Sequence, residues 1–288
     1  MDDFAPEDDV PPGKAGKTAK SSAGKAGKPT KAPKAGKPGK SDHPKLPMRR
    51  ERDSIFFEAY QGTPPWDIGR AQPAFVELQN MGQITGSILD LGCGTGDLAL
   101  ELAEGGHEAW GVDMVPRAID QAKAKARLRG QDKDVTFLVG DALEIEHLNR
   151  TFDTVLDCGL FHTFSDPERE LYEQQLRVVT HPGSRVHIMA MSDWEDESWG
   201  GPRRVTQAEL MDTFREGWRL EDIVEARFLV RPPFQIRGHA WLASFVREGA
   251  AEKKKATRAV PHKPLKKPAV KVAAKAGESG GKIVEATV

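Results

Sequence analysis

Residues Ile88 to Leu100 read I-L-D-L-G-C-G-T-G-D-L-A-L, a pattern that leaves little choice of local structure. A short apolar run (Ile88, Leu89, Leu91) meets glycines at positions 92, 94 and 96, and an apolar, helix-favouring segment starts at Leu98. Such a pattern predicts a buried strand, a tight turn and a helix. A turn of this kind needs glycine, because a side chain would keep the backbone away from a ligand. The helix N-terminus behind it would aim free N–H groups the same way. The spacing G-x-G-x-G differs from the dinucleotide-binding G-x-G-x-x-G, and Asp90 stands two residues ahead of the first glycine.

Two further apolar runs end on an acid. Gly111-Val112-Asp113 closes the first, placing a carboxylate 17 residues after Gly96, and Val135 to Val139 leads into Gly140-Asp141-Ala142. An acidic tip on the second strand is where α/β nucleotide-type folds bind ribose hydroxyls. Around these runs the pattern predicts helices over 97–105, 116–129 and 166–180, a short helix over 142–148, and strands over 108–112, 152–156 and 185–191. Thr206 with Glu209 reads as a capping box for a helix through Phe214. Upstream, Asp53-Ser54-Ile55 can cap a short helix carrying Phe56, Phe57, Ala59 and Tyr60. A Pro- and Gly-rich loop then covers 62–70, and a helix runs from Pro73 to Met81. Alternating strands and helices imply an α/β fold with a mostly parallel sheet and right-handed crossovers. The last two strand segments, near 219–229 and 239–246, lack a helix between them, which predicts an antiparallel hairpin at one edge.

The formal charge of −1 over 288 residues hides a partition. Ten of the 22 lysines lie in 1–47 and nine in 249–288. Residues 48–248 carry 22 Lys and Arg against 34 Asp and Glu, a net of −12, while the two tails together carry +11. Affinity for a phosphate backbone rests on basic side chains, so the acidic middle is poorly suited to nucleic acid. The Lys-, Ala-, Gly- and Pro-rich tails can bury almost nothing and are expected to be disordered. They read first as solubilising linkers, second as loose, salt-sensitive anchors for nucleic acid or another polyanion. The expected division is a tail over 1–47, an ordered domain over 48–248 and a tail over 249–288. Cys93 and Cys158 are the only cysteines, too few for a disulfide framework. No apolar run approaches the roughly 20 residues of a membrane helix, and no signal sequence is visible. A cytoplasmic setting without membrane contact is therefore expected. The histidines of the middle region show no paired metal spacing, so no metal is expected, and nothing specifies an oligomeric state.

Together the three strand ends resemble motifs of the class I S-adenosylmethionine (SAM) methyltransferases: D-x-G-x-G-x-G at Asp90 to Gly96, the acidic tip at Asp113, and G-D-A at 140–142. Y-Q-G-T-P-P-W-D-I-G-R (Tyr60 to Arg70) resembles the tryptophan-containing N-terminal motif of the thiopurine, thiol and halide methyltransferase branch. V-L-D-C-G-L-F-H (Val155 to His162) and G-P-R-R-V-T (Gly201 to Thr206) look closer still to actinobacterial small-molecule methyltransferases, some of which act on heterocyclic toxins or quinol-like compounds. The resemblance spans residues 53–246 and misses both tails. It implies a Rossmann-like, seven-stranded sheet with helices on both faces and SAM as the cofactor. It also implies methyl transfer to an O, N or S atom of a small, aromatic or heterocyclic molecule.

The methyl group of a sulfonium is already electrophilic, so such an enzyme has mainly to hold a nucleophile in line with the S–CH3 bond. Positioning alone is worth about 7–11 kcal/mol in favourable cases. On the resemblance, Asp90 and the turn of Gly92, Cys93, Gly94 and Gly96 belong to the cofactor cradle, the turn facing its amino-acid portion. Asp113 accepts from the ribose diol, Met114 packs on the adenine, and Asp141 accepts from the adenine amino group beside Ala142. Asp157 is assigned to the cofactor as well, and Tyr60 and Trp66 lie over it. Phe56, Phe57, Phe161 and Trp194 supply aromatic surface for the acceptor. Arg203 and Arg204 supply charge for an acidic or carbonyl-bearing one, or else form surface salt bridges. His162, past the end of the fourth strand, is the titratable group best placed to take a proton from a hydroxyl or thiol. A packed, hydrogen-bonding role without proton transfer is the other reading of it. A DNA amino-methyltransferase would usually carry N/D-P-P-Y/F where this chain has D-C-G-L at 157–160. A nucleic-acid-associated methyltransferase or SAM-binding module, anchored through the basic tails, is therefore the second functional reading.

Overall fold

The computed structural model describes residues 47–196, 200–231 and 237–249, all within the unit His43–Val288. Apart from residues 47 and 249, the Lys-rich tails lie outside the described residues. Seven strands form one sheet: β1 (Ile88–Leu91), β2 (Ala109–Asp113), β3 (Val135–Val139), β4 (Phe152–Cys158), β5 (Thr180–Met191), β6 (Trp218–Leu229) and β7 (Arg237–Arg247). Their order is β3-β2-β1-β4-β5-β7-β6. The first five run parallel, and β7 pairs antiparallel with both β5 and β6. The helices are α1 (Pro47–Ala59), α2 (Pro73–Asn80), α3 (Asp97–Glu104), α4 (Pro116–Arg129), α5 (Asp166–Val178) and α6 (Gln207–Thr213). This is the expected α/β architecture, a mostly parallel seven-stranded sheet with an antiparallel edge pair.

Strand alternation sorts the core into layers. On β4, β5 and β7, Val155, Ile188 and Ala243 pack with Tyr172 and Leu176 of α5 and Leu210 of α6. Their neighbours Leu156, Met189 and Leu242 point the other way, against Phe75 and Leu78 of α2 and Leu102 of α3. A third cluster joins Ile119, Ala122 and Ala126 of α4 to Ala109, Val135 and Phe137 of β2 and β3. Period-two side-chain direction therefore makes each central strand apolar on both faces, as a parallel sheet under two helical layers requires.

Three elements differ from the sequence reading. Helix α1 begins at Pro47, so Asp53 and Ser54 lie inside it. Proline suits a first helical position, and the following Met-Arg-Arg-Glu-Arg run favours helix. Residues 142–148 contain only a single 3-10 turn at Glu146–Leu148. Side chains take the backbone donors there: Asp141 accepts from Leu143 N, and Gln175 Oε1 accepts from Ile145 N and Glu146 N. Strand β5 starts at Thr180 rather than 185. Ser184 Oγ donates to Phe152 O and accepts from His181 N, carrying the pairing past Pro182 through a register shift. The capping box of Thr206 and Glu209 is present at α6.

Gly96 caps α3 at φ 81°, and a Cβ there would stand 2.5 Å from Phe137 Cζ and 2.9 Å from Ala122 Cβ. Gly96→Ala should therefore lose about 2–4 kcal/mol in a urea titration, from backbone strain plus overpacking. A loss below about 1 kcal/mol would mean that the start of α3 relaxes freely.

Candidate active site

The chain runs outward from β1 through β2 to β3, then returns to lay β4 on the other side of β1. Such a reversal opens a crevice at the carboxyl ends of the two central strands. A cavity of about 1080 Å³ lies there. One wall is the glycine turn, and the structure shows what holds it. Gly92 N and Cys93 N donate to Val112 O at 2.8 and 3.1 Å, and Gly94 N donates to Asp113 Oδ2 at 2.9 Å. Asp113 Oδ1 accepts from Val115 N at 2.8 Å. The N–H groups of residues 92–94 thus fasten the turn to β2. Each Asp113 oxygen keeps a further lone pair for a ligand.

Asp90, only 1 % exposed, sits beneath this turn and belongs to the cavity wall. Its Oδ2 has no hydrogen-bond partner among the described residues. Burial first, then the nearby carboxylates of Asp113 and Asp157, pushes the Asp90 carboxyl up to about 8. Burial raises Asp113 as well, against the pull of its two backbone donors. An orphaned, protonated acid among further acids suits a ligand carrying positive charge, which would draw the proton off. SAM, with its sulfonium and ammonium groups, has that chemistry.

Of the residues expected at the site, the cavity wall holds Tyr60, Trp66, Asp90, Gly92, Cys93, Gly94, Asp113, Met114, Asp141, Ala142, Phe56, Arg203 and His162. Five others are elsewhere. Gly96 is turned into the packing between α3 and β3. Asp157 accepts from Leu160 N, Phe161 N and Tyr172 Oη at 2.8, 3.2 and 2.8 Å, which makes it a buried clamp for the turn after β4. Phe161 is fully buried against Tyr172 and Phe214. Trp194 packs edge-on against Trp241 at 4.5 Å, and Phe57 is exposed away from the cavity. Arg203 reaches the wall, but its guanidinium is held by Asp166 at 2.6 Å and by Glu209. Both cysteines are free thiols pushed up by burial, which leaves them un-ionised.

The segment between α1 and α2 folds over the strand ends. Trp66 Nε1 donates to Tyr60 Oη at 3.2 Å, and Thr95 Oγ1 of the glycine turn donates to Asp67 at 3.0 Å. The place of a Gly94 Cβ lies 2.6 Å from Tyr60 Oη, so glycine is required for Tyr60 to close down. Gln72 holds the far end, pairing its side-chain amide with both Leu229 N and Leu229 O at 2.9 Å. Thr95, Gln72, Phe164 and Phe228 are wall residues absent from the sequence reading. Only Thr95, inside the glycine motif, carried a local signal.

His162 stands where the chain leaves β4, in a 3-10 turn at Phe161–Thr163. Its Nδ1 accepts from Met191 N at 3.0 Å, so the neutral ring carries its proton on Nε2. Burial, with Arg169 and Arg204 nearby, pushes the imidazole down to about 3. A ring with Nδ1 engaged and Nε2 protonated cannot accept a proton. In this geometry Nε2 carries the hydrogen that the ring can donate.

No group of three or more His, Cys, Asp or Glu among the described residues could hold a metal ion, and no helix among them is long and apolar enough to cross a membrane.

A carboxyl raised from 3.8 to about 8 on folding binds its proton more tightly in the native state. It therefore costs stability as pH climbs between those two values. Asp90→Asn should raise the melting temperature of the ligand-free protein, with a gain that widens from about pH 4 to about pH 8. A gain independent of pH would remove Asp90 from that account.

Residues 88–183 match the family model described as a methyltransferase domain. The chain is 33% identical over 211 residues to the 2-heptyl-1-hydroxyquinolin-4(1H)-one methyltransferase of Mycobacteroides abscessus, covering 70% of this chain and 92% of that one. A solved structure from work on the conversion of a disulfide bond into a thioacetal group during echinomycin biosynthesis superposes with a TM-score of 0.62 at 35% identity. It covers 70% of this chain and 97% of its own. The Burkholderia thailandensis 1,6-didemethyltoxoflavin-N1-methyltransferase shares the fold, with a TM-score of 0.53 at 20% identity over 73% of this chain and 94% of its own. With the switch-point crevice, the acid-lined glycine turn and these relatives, the chain belongs to the class I SAM-dependent methyltransferases and is an enzyme of that family acting on a small molecule.

Proposed function

We propose that this enzyme methylates an O, N or S atom of a small aromatic or heterocyclic molecule. The observation that carries the reading is one cavity whose wall joins acids and the glycine turn to the aromatic rings of Phe56, Trp66, Phe164 and Phe228. Single-ligand pockets span about 300–1,000 Å³, so about 1080 Å³ accommodates a cofactor and a flat acceptor together. The hydroxyquinolone in the name of the Mycobacteroides abscessus relative is such an acceptor.

Bound SAM would supply an electrophilic methyl on a sulfonium. In this reading Asp113 receives the ribose diol, Met114 and Ala142 border the adenine, and Asp141 accepts from its amino group. Asp90 faces the positively charged end. Tyr60 and Trp66 exclude water and press the acceptor towards the reacting carbon, which is where positioning earns its rate.

A methyl-transfer screen over phenols, hydroxyquinolines, thiols and heterocyclic amines, read by SAM consumption, tests the function. Turnover confined to non-aromatic acceptors would overturn it. Asp113→Ala should weaken SAM binding by about 1.5–3 kcal/mol in calorimetry, the range for a hydrogen bond to a charged group. Unchanged affinity would take Asp113 out of the ribose role. Trp66→Ala should weaken SAM and acceptor together while the thermal transition stays in place, because Trp66 is 41 % exposed and outside the core clusters. A loss confined to one ligand would contradict a shared lid.

A further inference from the structure

We infer that the enzyme takes its acceptor as an anion, with the charged oxygen hydrogen-bonded to the Nε2–H of His162. This rests on the aromatic-acceptor reading and names the ionisation state that the site selects. Four observations meet at this histidine. Its tautomer is set by the backbone of β5, because Met191 N occupies Nδ1 and leaves Nε2 as the protonated nitrogen. That nitrogen has no partner among the described residues and belongs to a side chain on the cavity wall. The ring is clamped by the edge of Phe228 at 5.7 Å between centroids and by Gly159, whose Cβ position lies 3.4 Å from His162 Cε1. The charges bearing most on it are those of two arginines. Arg169 comes from α5, only 4 % exposed; its Nη1 pairs with Glu209 at 3.0 Å and Asp166 at 3.9 Å, while its Nε and Nη2 are unpartnered among the described residues. Arg204 comes from the loop before α6, tied to Asp196 O and Gly200 O at 2.7 Å.

From the other elements packed on the ring come the Met191 amide of β5 and the Phe228 ring of β6. Two buried or tethered guanidiniums and a fixed N–H make this corner a place for negative charge. Together with burial, the larger cause, the two guanidiniums also keep the imidazole neutral. A neutral hydroxyl would have to lose its proton to some group here. His162 is already protonated where it is open, and Asp166, a carboxylate on the same wall, is taken up by Arg203 at 2.6 Å and Arg169 at 3.9 Å. An acceptor that arrives ionised needs no base. Its proton stays in bulk solvent, its oxygen forms the new O–CH3 bond, and the electron pair of the broken S–CH3 bond remains on sulfur. One negative and one positive charge are consumed, and a neutral ether and a neutral thioether result. The acceptors singled out are acidic oxygens on aromatic rings: electron-poor phenols and N-hydroxy or hydroxy heterocycles.

The test uses the full chain, S-adenosylhomocysteine to block transfer, and 4-nitrophenol, whose phenolate absorbs visible light. Bound dye should ionise at least about tenfold more readily than free dye, a downward shift of about one pH unit in its titration. His162→Phe should abolish the shift while keeping S-adenosylhomocysteine affinity, and His162→Gln, which retains an N–H, should restore part of it. Dye bound as the neutral phenol, or a shift untouched in His162→Phe, would overturn the inference while leaving the aromatic-acceptor reading standing. Dye that binds at no pH would overturn both. Wild-type kinetics give a reading independent of any variant's folding. With two phenols of different acidity, the midpoint of kcat/KM against pH should follow each phenol's own ionisation. A single midpoint shared by both would place the titrating base on the protein and refute the inference.

Discussion

The Asp113 carboxylate is the joint on which the site depends. One oxygen takes Gly94 N and the other Val115 N, so a single side chain at the tip of β2 fastens the glycine turn after β1 and the start of α4. Val112 O adds the bonds from Gly92 N and Cys93 N. With the turn fixed, Gly94 offers the bare backbone over which the Tyr60 hydroxyl closes, and Tyr60 in turn receives Trp66 Nε1. The lid is thus registered on the cradle through a few short contacts, and the sheet beneath supplies the rigidity. Hydrogen bonds to a charged acceptor are worth about 1.5–3 kcal/mol each, enough to hold an irregular turn against its entropy.

The cavity is electrically divided. At the carboxyl end of β1, burial and neighbouring carboxylates hold Asp90 protonated in the absence of a cation. Near the turn after β4, burial first and then Arg169 and Arg204 hold His162 neutral. A cation entering the first place and an anion entering the second would each relieve a strain that folding built in. The cost of burying Asp90 therefore reads as preparation for the reaction's own charges, since an isolated buried acid has no merit for stability. Asp157, by contrast, is assigned to the cofactor on the family resemblance but spends both oxygens on Leu160, Phe161 and Tyr172. It shapes the turn that presents His162.

The parts legible in the sequence were those set by short-range chemistry. Period-two apolar runs, alternate glycines and strand-end acids identify the parallel sheet and its edge hairpin, because side-chain direction and turn sterics depend on a few neighbouring residues. The Thr206–Glu209 capping box was readable for the same reason. What the sequence left open is how distant segments meet. Phe161 and His162 are adjacent, yet one is buried among Tyr172 and Phe214 and the other faces the cavity, since a 3-10 turn sends them opposite ways. Arg203 lost its freedom to two acids, one of them 37 residues away, and Phe228 reached the wall only because β6 and β7 extend the sheet beyond β5. By itself, then, the sequence determined the cradle's backbone through local rules that act before any packing, and its motifs carried the resemblance to the family and its cofactor. The tertiary structure alone decided which side chains face the cavity, which acids keep their protons and which nitrogen of His162 carries its own. Burial, dielectric and hydrogen-bond partners are properties of the assembled fold.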